Sequence, residues 1–196
     1  MFDEPAQLIS HSSPMQKTKI TEMGRLSTEQ FRQAQKMPLT VVLDNVRSFH
    51  NVGAVFRTSD AYRVERILLC GLTACPPSAE IHKTALGAED AVSWQHFEET
   101  LDAVALLREE GYRIFSVEQA HGSTPLQELT LAPDGKYAII LGHEVHGVQQ
   151  AVVDASDGCL ELPQYGTKHS LNVSVTAGIV IWEFARQLLL QHPIDK

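Results

Sequence analysis

The chain has 196 residues, 43% of them apolar, and a formal net charge of −8, which suits one full-sized globular core with no composition break dividing it. No apolar run reaches 18 residues, so no membrane span is expected, and the opening MFDEPAQLISHSSPMQ lacks a basic region followed by an apolar core, so no secretory leader is expected either. Three cysteines, Cys70, Cys75 and Cys159, an odd number in a chain of this size, fit free thiols in the reducing cytoplasm.

In chain order, residues 1 to about 25 carry no periodic pattern. A helix start follows, with Ser27 as N-cap, Gln30 completing a capping box, and Leu26 against Phe31 as a hydrophobic staple. This helix is expected to run to about Lys36 and stop at Pro38. LTVVLDN (39–45) reads as a strand, NVGAVFRTSDAYR (51–63) as a helix and RILLCG (66–71) as a strand. SAEIHKTALGAED (78–90) is partly helical and AVSWQHF (91–97) contains a short strand. A helix over 98–110, a strand over 112–118, a strand over 137–142, a helix over 148–156, a strand in 158–163 and a helix over 171–190 complete the set. Apolar strands alternating with amphipathic helices predict an α/β fold, a mostly parallel sheet covered by helices on both faces.

In such sheets ligands bind beyond the carboxyl ends of the strands. The polar loops after 39–45, 112–118, 137–142 and 158–163 therefore converge on the expected site. The first, DNVRSFHNVGA, has a single glycine, Gly53, which excludes the G-x-G-x-x-G dinucleotide fingerprint. Charge is uneven: residues 1–66 hold nine Lys/Arg against seven Asp/Glu, so the acidic excess lies entirely in the remainder. A phosphate-binding surface needs such local positive charge, although a solvated helix face gives the same count.

Four stretches carry candidate chemistry. HNVGAVFRT sets Asn51 at a helix start and Arg57 a turn and a half later among apolar residues. An arginine there meets an anion, lies on the surface, or pairs with Asp60 or Asp44. GHEVHGV holds His143, Glu144 and His146 between Gly142 and Gly147. Its i, i+3 histidine spacing off a helix argues against zinc, and a carboxylate so close to a strand end suits orienting a polar ligand or forming a plain polar turn. HKTALGAED offers Lys83, Thr84 and Gly87 as phosphate or ribose contacts, or as an ordinary helix end. LPQYGTKHSLNVSV runs Lys168, His169, Ser170 and Asn172 straight into the most apolar helix of the chain. That helix is apolar nearly all round, which fits a core or a subunit interface.

Taken in order, HNVGAVFRT, ILGHEVHGV and LPQYGTKHSLNVSVTAGIVIWE resemble the three signature motifs of the SpoU (TrmH-like) RNA 2'-O-ribose methyltransferases of the SPOUT superfamily, over about residues 39–190. The resemblance implies a methyltransferase domain over 39–196 preceded by a 1–38 extension with a short helix, and a deep C-terminal trefoil knot. It also implies bound S-adenosylmethionine and a homodimer whose sites use both subunits. Carried over by position, Val117, Leu141, Gly142, Glu144, Leu162, Ser170 and Leu171 surround the cofactor, and Arg57, Asn51, Glu144, Ser170 and Asn172 occupy the polar catalytic positions. No metal is implied. His143, Val145 and Gln164 stand where the family usually has Asn, Gly and Met, and His50 where Gly is frequent.

The implied function is methylation of a ribose 2'-hydroxyl in RNA. A tRNA target is expected before rRNA, because the chain carries no folded RNA-binding domain ahead of the motifs. The alternatives are an rRNA target and a catalytically silent knotted RNA-binding factor.

Overall fold

A computed structural model describes residues 16–190. Helix α1 (Thr28–Gln33) begins with the expected capping box: the Ser27 hydroxyl accepts from Gln30 N, and the Gln30 side chain accepts from Ser27 N. It ends three residues earlier than the pattern suggests. Lys36 lies beyond it and turns its ammonium back over the Phe31 ring, 4.5 Å from the centroid, donating to the carbonyls of Phe31 and Ala34. These carbonyls sit at the helix end, where the one on Phe31 also accepts from the Ala34 amide at 3.2 Å.

The strands are β1 (Met37–Asp44), β2 (Val64–Cys70), β3 (Ser93–Phe97), β4 (Arg113–Val117), β5 (Thr124–Pro125), β6 (Tyr137–Leu141) and β7 (Gly158–Glu161). They form one sheet in the order β3-β2-β1-β6-β4-β7-β5, and every pairing is parallel. Between them run α2 (Phe49–Ala61), α3 (Ala79–Ala85), α4 (Ala88–Ala91), α5 (Thr100–Glu109), α6 (Gln150–Ala155) and α7 (Val173–Ala185), the last extended by a π turn over Arg186–Leu190.

The apolar strands follow from this layering. Successive side chains of a strand point to opposite faces, and both faces are covered. Val41, Leu43, Ile67, Leu69 and Ile139 enter the core shared with α2, α3 and α7, while Val42, Leu68, Cys70, Ala138 and Ile140 enter the one shared with α5 and α6. Alternation of polar and apolar residues would have left one face wet.

Two small elements escape the sequence pattern. The stretch after β4 adds the two-residue edge strand β5 and a 3₁₀ turn at Leu126–Glu128, anchored by the buried Leu126, Leu129 and Leu131. Val173–Leu190 is long and apolar enough to cross a membrane by length and composition. Its inner side, Ala177, Val180, Ile181, Phe184 and Ala185, is nonetheless fully buried in the first core, and Glu183 and Arg186 interrupt it with an ion pair. Cys70, Cys75 and Cys159 are all free thiols.

Candidate functional site

The loops after β4, β6 and β7 and the start of α7 enclose a cavity of about 690 Å³ at the carboxyl edge of the sheet. Its lining includes Val117, Leu141, Gly142, Glu144, Leu162, Ser170, Leu171 and Asn172. All seven residues expected around a cofactor therefore come together, with Asn172 beside them.

The middle wall is a closed turn. His143 and Gly147 exchange backbone hydrogen bonds of 3.0 and 2.8 Å across an isolated bridge. The His143 Nδ1 accepts from the amides of Val145 and His146 inside it, at 2.9 and 3.3 Å. The imidazole thus acts as a local side-chain acceptor that closes the turn. Only glycine fits at two positions: a Cβ on Gly142 would lie 2.1 Å from the Gly147 carbonyl carbon, and one on Gly147, whose φ is +67°, would lie 2.0 Å from a Glu118 carboxylate oxygen.

Glu144 leaves this turn and latches it to the loop after β1. It accepts from Ser48 N (2.9 Å), Arg47 N (3.1 Å) and Asn51 Nδ2 (3.0 Å). Asn172 Nδ2 in turn donates to Asn51 Oδ1 at 3.1 Å, while its own Oδ1 caps α7 by accepting from Ser174 N and Val175 N. One hydrogen-bonded chain thus ties α2, the β6 loop and α7. Burial by itself pushes the Glu144 carboxyl up, but hydrogen bonds from Ser48, its own amide, Arg47 and Asn51 outweigh it and hold the group below its ordinary range.

A second set of contacts, absent from the sequence reading, braces the same turn. Asp44, fully buried at the end of β1, accepts from Gln149 N (3.0 Å), Gln149 Nε2 (2.8 Å), Thr100 Oγ1 (2.7 Å) and Asn45 Nδ2 (2.9 Å). Glu118 accepts from Val148 N at 3.1 Å. The one available signal was an Asp closing an otherwise apolar strand. Gln119 Nε2 donates to His169 O at 2.6 Å, joining the β4 loop to the polar loop before α7. Lys168 and His169 are exposed, and Tyr165 is 97% exposed.

Arg57 is not brought to this cavity. It is exposed on α2 and forms no ion pair among the described residues, neither with Asp60 nor with Asp44. It lines a separate cleft of about 380 Å³ with Asp60, α1 and the turn between α3 and α4. Lys83 is paired with Glu80 at 2.6 Å, and the Thr84 hydroxyl donates to His50 O at 3.0 Å, close against Gly53. That pair thus serves the helix end and the α2–α3 contact.

The described residues contain no group of three or more His, Cys, Asp or Glu able to hold a metal. The cavity suits an organic cofactor: its volume is in the usual range for such ligands, glycine backbone forms one wall, and the carboxylate nearest the rim is already held by donors.

Residues 38–182 match the model of the SpoU rRNA Methylase family. The chain is 29% identical to a 23S rRNA (guanosine-2'-O-)-methyltransferase RlmB of Vibrio parahaemolyticus, covering 96% of this chain and 75% of that one. It is 28% identical to a tRNA (guanosine(18)-2'-O)-methyltransferase of Thermus thermophilus, covering 90% and 89%. The crystal structure of an AdoMet-bound rRNA methyltransferase from Sinorhizobium meliloti superposes with a TM-score of 0.73 at 27% identity, over 81% of this chain and 60% of that one.

Proposed function

The chain belongs to the SpoU rRNA methylase family, and from that premise we propose that it transfers a methyl group from S-adenosylmethionine to a ribose 2'-hydroxyl of RNA. The observation that carries this reading is the chain of hydrogen bonds Glu144–Asn51–Asn172 at the rim of the cavity. It gathers one residue from each of three distant motifs beside Ser170.

Val117, Leu141, Gly142, Leu162 and Leu171 hold the cofactor, largely through backbone, in the cavity they line. When bound, S-adenosylmethionine supplies an electrophilic methyl on a sulfonium. The residues therefore need only align the hydroxyl with it and ease loss of its proton. Ser170 and Asn172 hold the ribose, and Glu144 fixes Asn51 and Asn172 in place. Arg57 grips the neighbouring phosphate and stabilises charge developing on the 2'-oxygen. A guanidinium stays protonated at ordinary pH, so the proton passes to a phosphate oxygen or water.

Since Arg57 lies outside the cavity of its own chain, the partner subunit's Arg57 completes each site of a homodimer. An exposed apolar stripe on α7, Val175 (50%), Ile179 (40%) and Trp182 (45%), supports that pairing. It continues to the end of α2, where Tyr62 meets the Trp182 ring edge-on at 5.8 Å. The last third of the chain threads a trefoil knot. The Gln119–His169 and Glu118–Val148 contacts are of the kind such threading creates.

The methyltransferase domain spans 39–196 after a 1–38 extension, and the protein works in the cytoplasm. Of the two RNA classes tRNA is favoured, because a compact dimer reads folded RNA by shape and backbone. Arg57→Ala should abolish transfer while the fold and cofactor affinity remain, and Arg57→Lys should recover little because a point charge cannot grip bidentately. Near-normal turnover in either variant refutes the assignment.

A further inference from the structure

The cleft that Arg57 lines has its own chemistry. One wall is α1 with the residues before it, a second is the α2 face carrying Arg57 and Asp60, and a third is the Leu86–Gly87 turn joining α3 to α4. Asp60 lies nine residues beyond Asn51, about 13 Å along the α2 axis. A group held there is therefore distinct from anything bound in the cavity of the same chain.

Asp60 is half-buried, and its carboxylate makes no hydrogen bond or ion pair among the described residues. Burial raises its pKa, with the charge of Arg25 acting against the rise. A carboxylate desolvated without donors is unfavourable unless a ligand brings them. The opposite wall presents Leu86, 61% exposed, as an apolar plate, and beyond Gly87 the space is open.

Anion-binding Arg57 and donor-seeking Asp60 in one cleft with an apolar wall call for a ligand with a phosphate at one end and a flat ring bearing N–H groups at the other. A nucleotide within an RNA strand has that form. An ionised carboxylate only accepts, and of the four bases guanine alone sets two adjacent N–H donors, N1–H and the 2-amino group, on its Watson–Crick edge. Cytosine and adenine each pair one amino group with a ring acceptor, and uracil places its single N–H between two carbonyls.

We infer that this cleft is a base-recognition pocket for guanine, in which the Asp60 carboxylate accepts from N1–H and the 2-amino group while Arg57 holds the nucleotide's phosphate. The inference rests on the RNA-methylating reading for the role of Arg57, and it adds a residue that determines specificity together with a role for the N-terminal helix α1 as the pocket's wall.

The test has two arms, both on the full chain. In the first, wild type and Asp60→Asn are titrated with guanosine, inosine and adenosine 5'-monophosphates and followed by amide NMR. Guanosine monophosphate should shift the amides of Leu86, Gly87 and Ala88 and bind about tenfold or more tighter than adenosine monophosphate. Inosine monophosphate, which lacks the 2-amino group, should fall between. Asp60→Asn should erase the preference, and Asp60→Ala is the check should the Asn variant misfold. Shifts confined to the large cavity, or equal selectivity in the variant, overturn the proposal.

In the second arm, transfer from radiolabelled S-adenosylmethionine to RNA is measured for the same variants. Asp60→Asn should lose about tenfold or more in kcat/KM at a guanosine target with cofactor affinity unchanged. An unchanged kcat/KM overturns the pocket while leaving methyl transfer standing. Guanine selectivity without transfer to any RNA overturns the proposed function and supports the pocket.

Discussion

Removing the Glu144 carboxylate should loosen the cavity by a definable amount. Of its three donors, the amides of Arg47 and Ser48 lie where water can replace the lost acceptor, whereas Asn51 is only 9% exposed. Glu144→Ala therefore leaves one buried donor unsatisfied, a cost of about 1–3 kcal/mol. Glu144→Gln keeps one acceptor oxygen but turns an amide N–H toward a backbone N–H, for about 1 kcal/mol. Urea unfolding measures the stability change, and calorimetric titration with S-adenosylmethionine measures the cavity. The pH dependence has a fixed sign. Because the folded carboxyl lies below its ordinary value of 4.5, its contribution is complete above that value and fades as pH falls through the lower folded value. Glu144→Gln should flatten that acid limb. Unchanged stability and cofactor affinity in Glu144→Ala would refute the latch.

Gly147→Ala meets both a positive φ and the Glu118 carboxylate, and should cost about 1–3 kcal/mol and weaken cofactor binding in the same titration. Asp44→Ala strands the buried Thr100 hydroxyl, whereas water can reach the donors of the exposed Gln149, and should lower stability by about 1–3 kcal/mol in thermal or urea unfolding. Ile179→Glu places a charge in the exposed stripe of α7. It should convert the proposed homodimer to monomers in light scattering and abolish transfer, while the monomer keeps its secondary structure.

Most of the fold was readable because the sheet is buried on both faces. VVL within β1 and ILLC within β2 admit few other readings when punctuated by amphipathic helices. The capping box at Ser27 was local chemistry and appeared as written. What stayed hidden depended on long-range contacts. Nothing in the sequence ties Asp44 to Gln149 or Glu118 to Val148, since these pairs meet only after the sheet orders its strands. The short β5 edge carries too few residues for a period to show. The cavity residues were reached through motif resemblance, and the composition of LPQYGTKHSLNVSV alone gave only a puzzle. Arg57 shows the limit most clearly: its motif groups it with Asn51, yet six residues of helix carry it to a different cleft.

The most direct test of the central claim is to map ribose 2'-O-methyls across tRNA and rRNA in a strain lacking the gene, then incubate that RNA with the purified chain and S-adenosylmethionine. A 2'-O-methyl should be lost on deletion, and the wild-type chain, but not Arg57→Ala, should restore it at the same nucleotide. Cofactor binding with no methyl restored to any RNA would contradict that claim and leave an RNA-binding factor without catalysis.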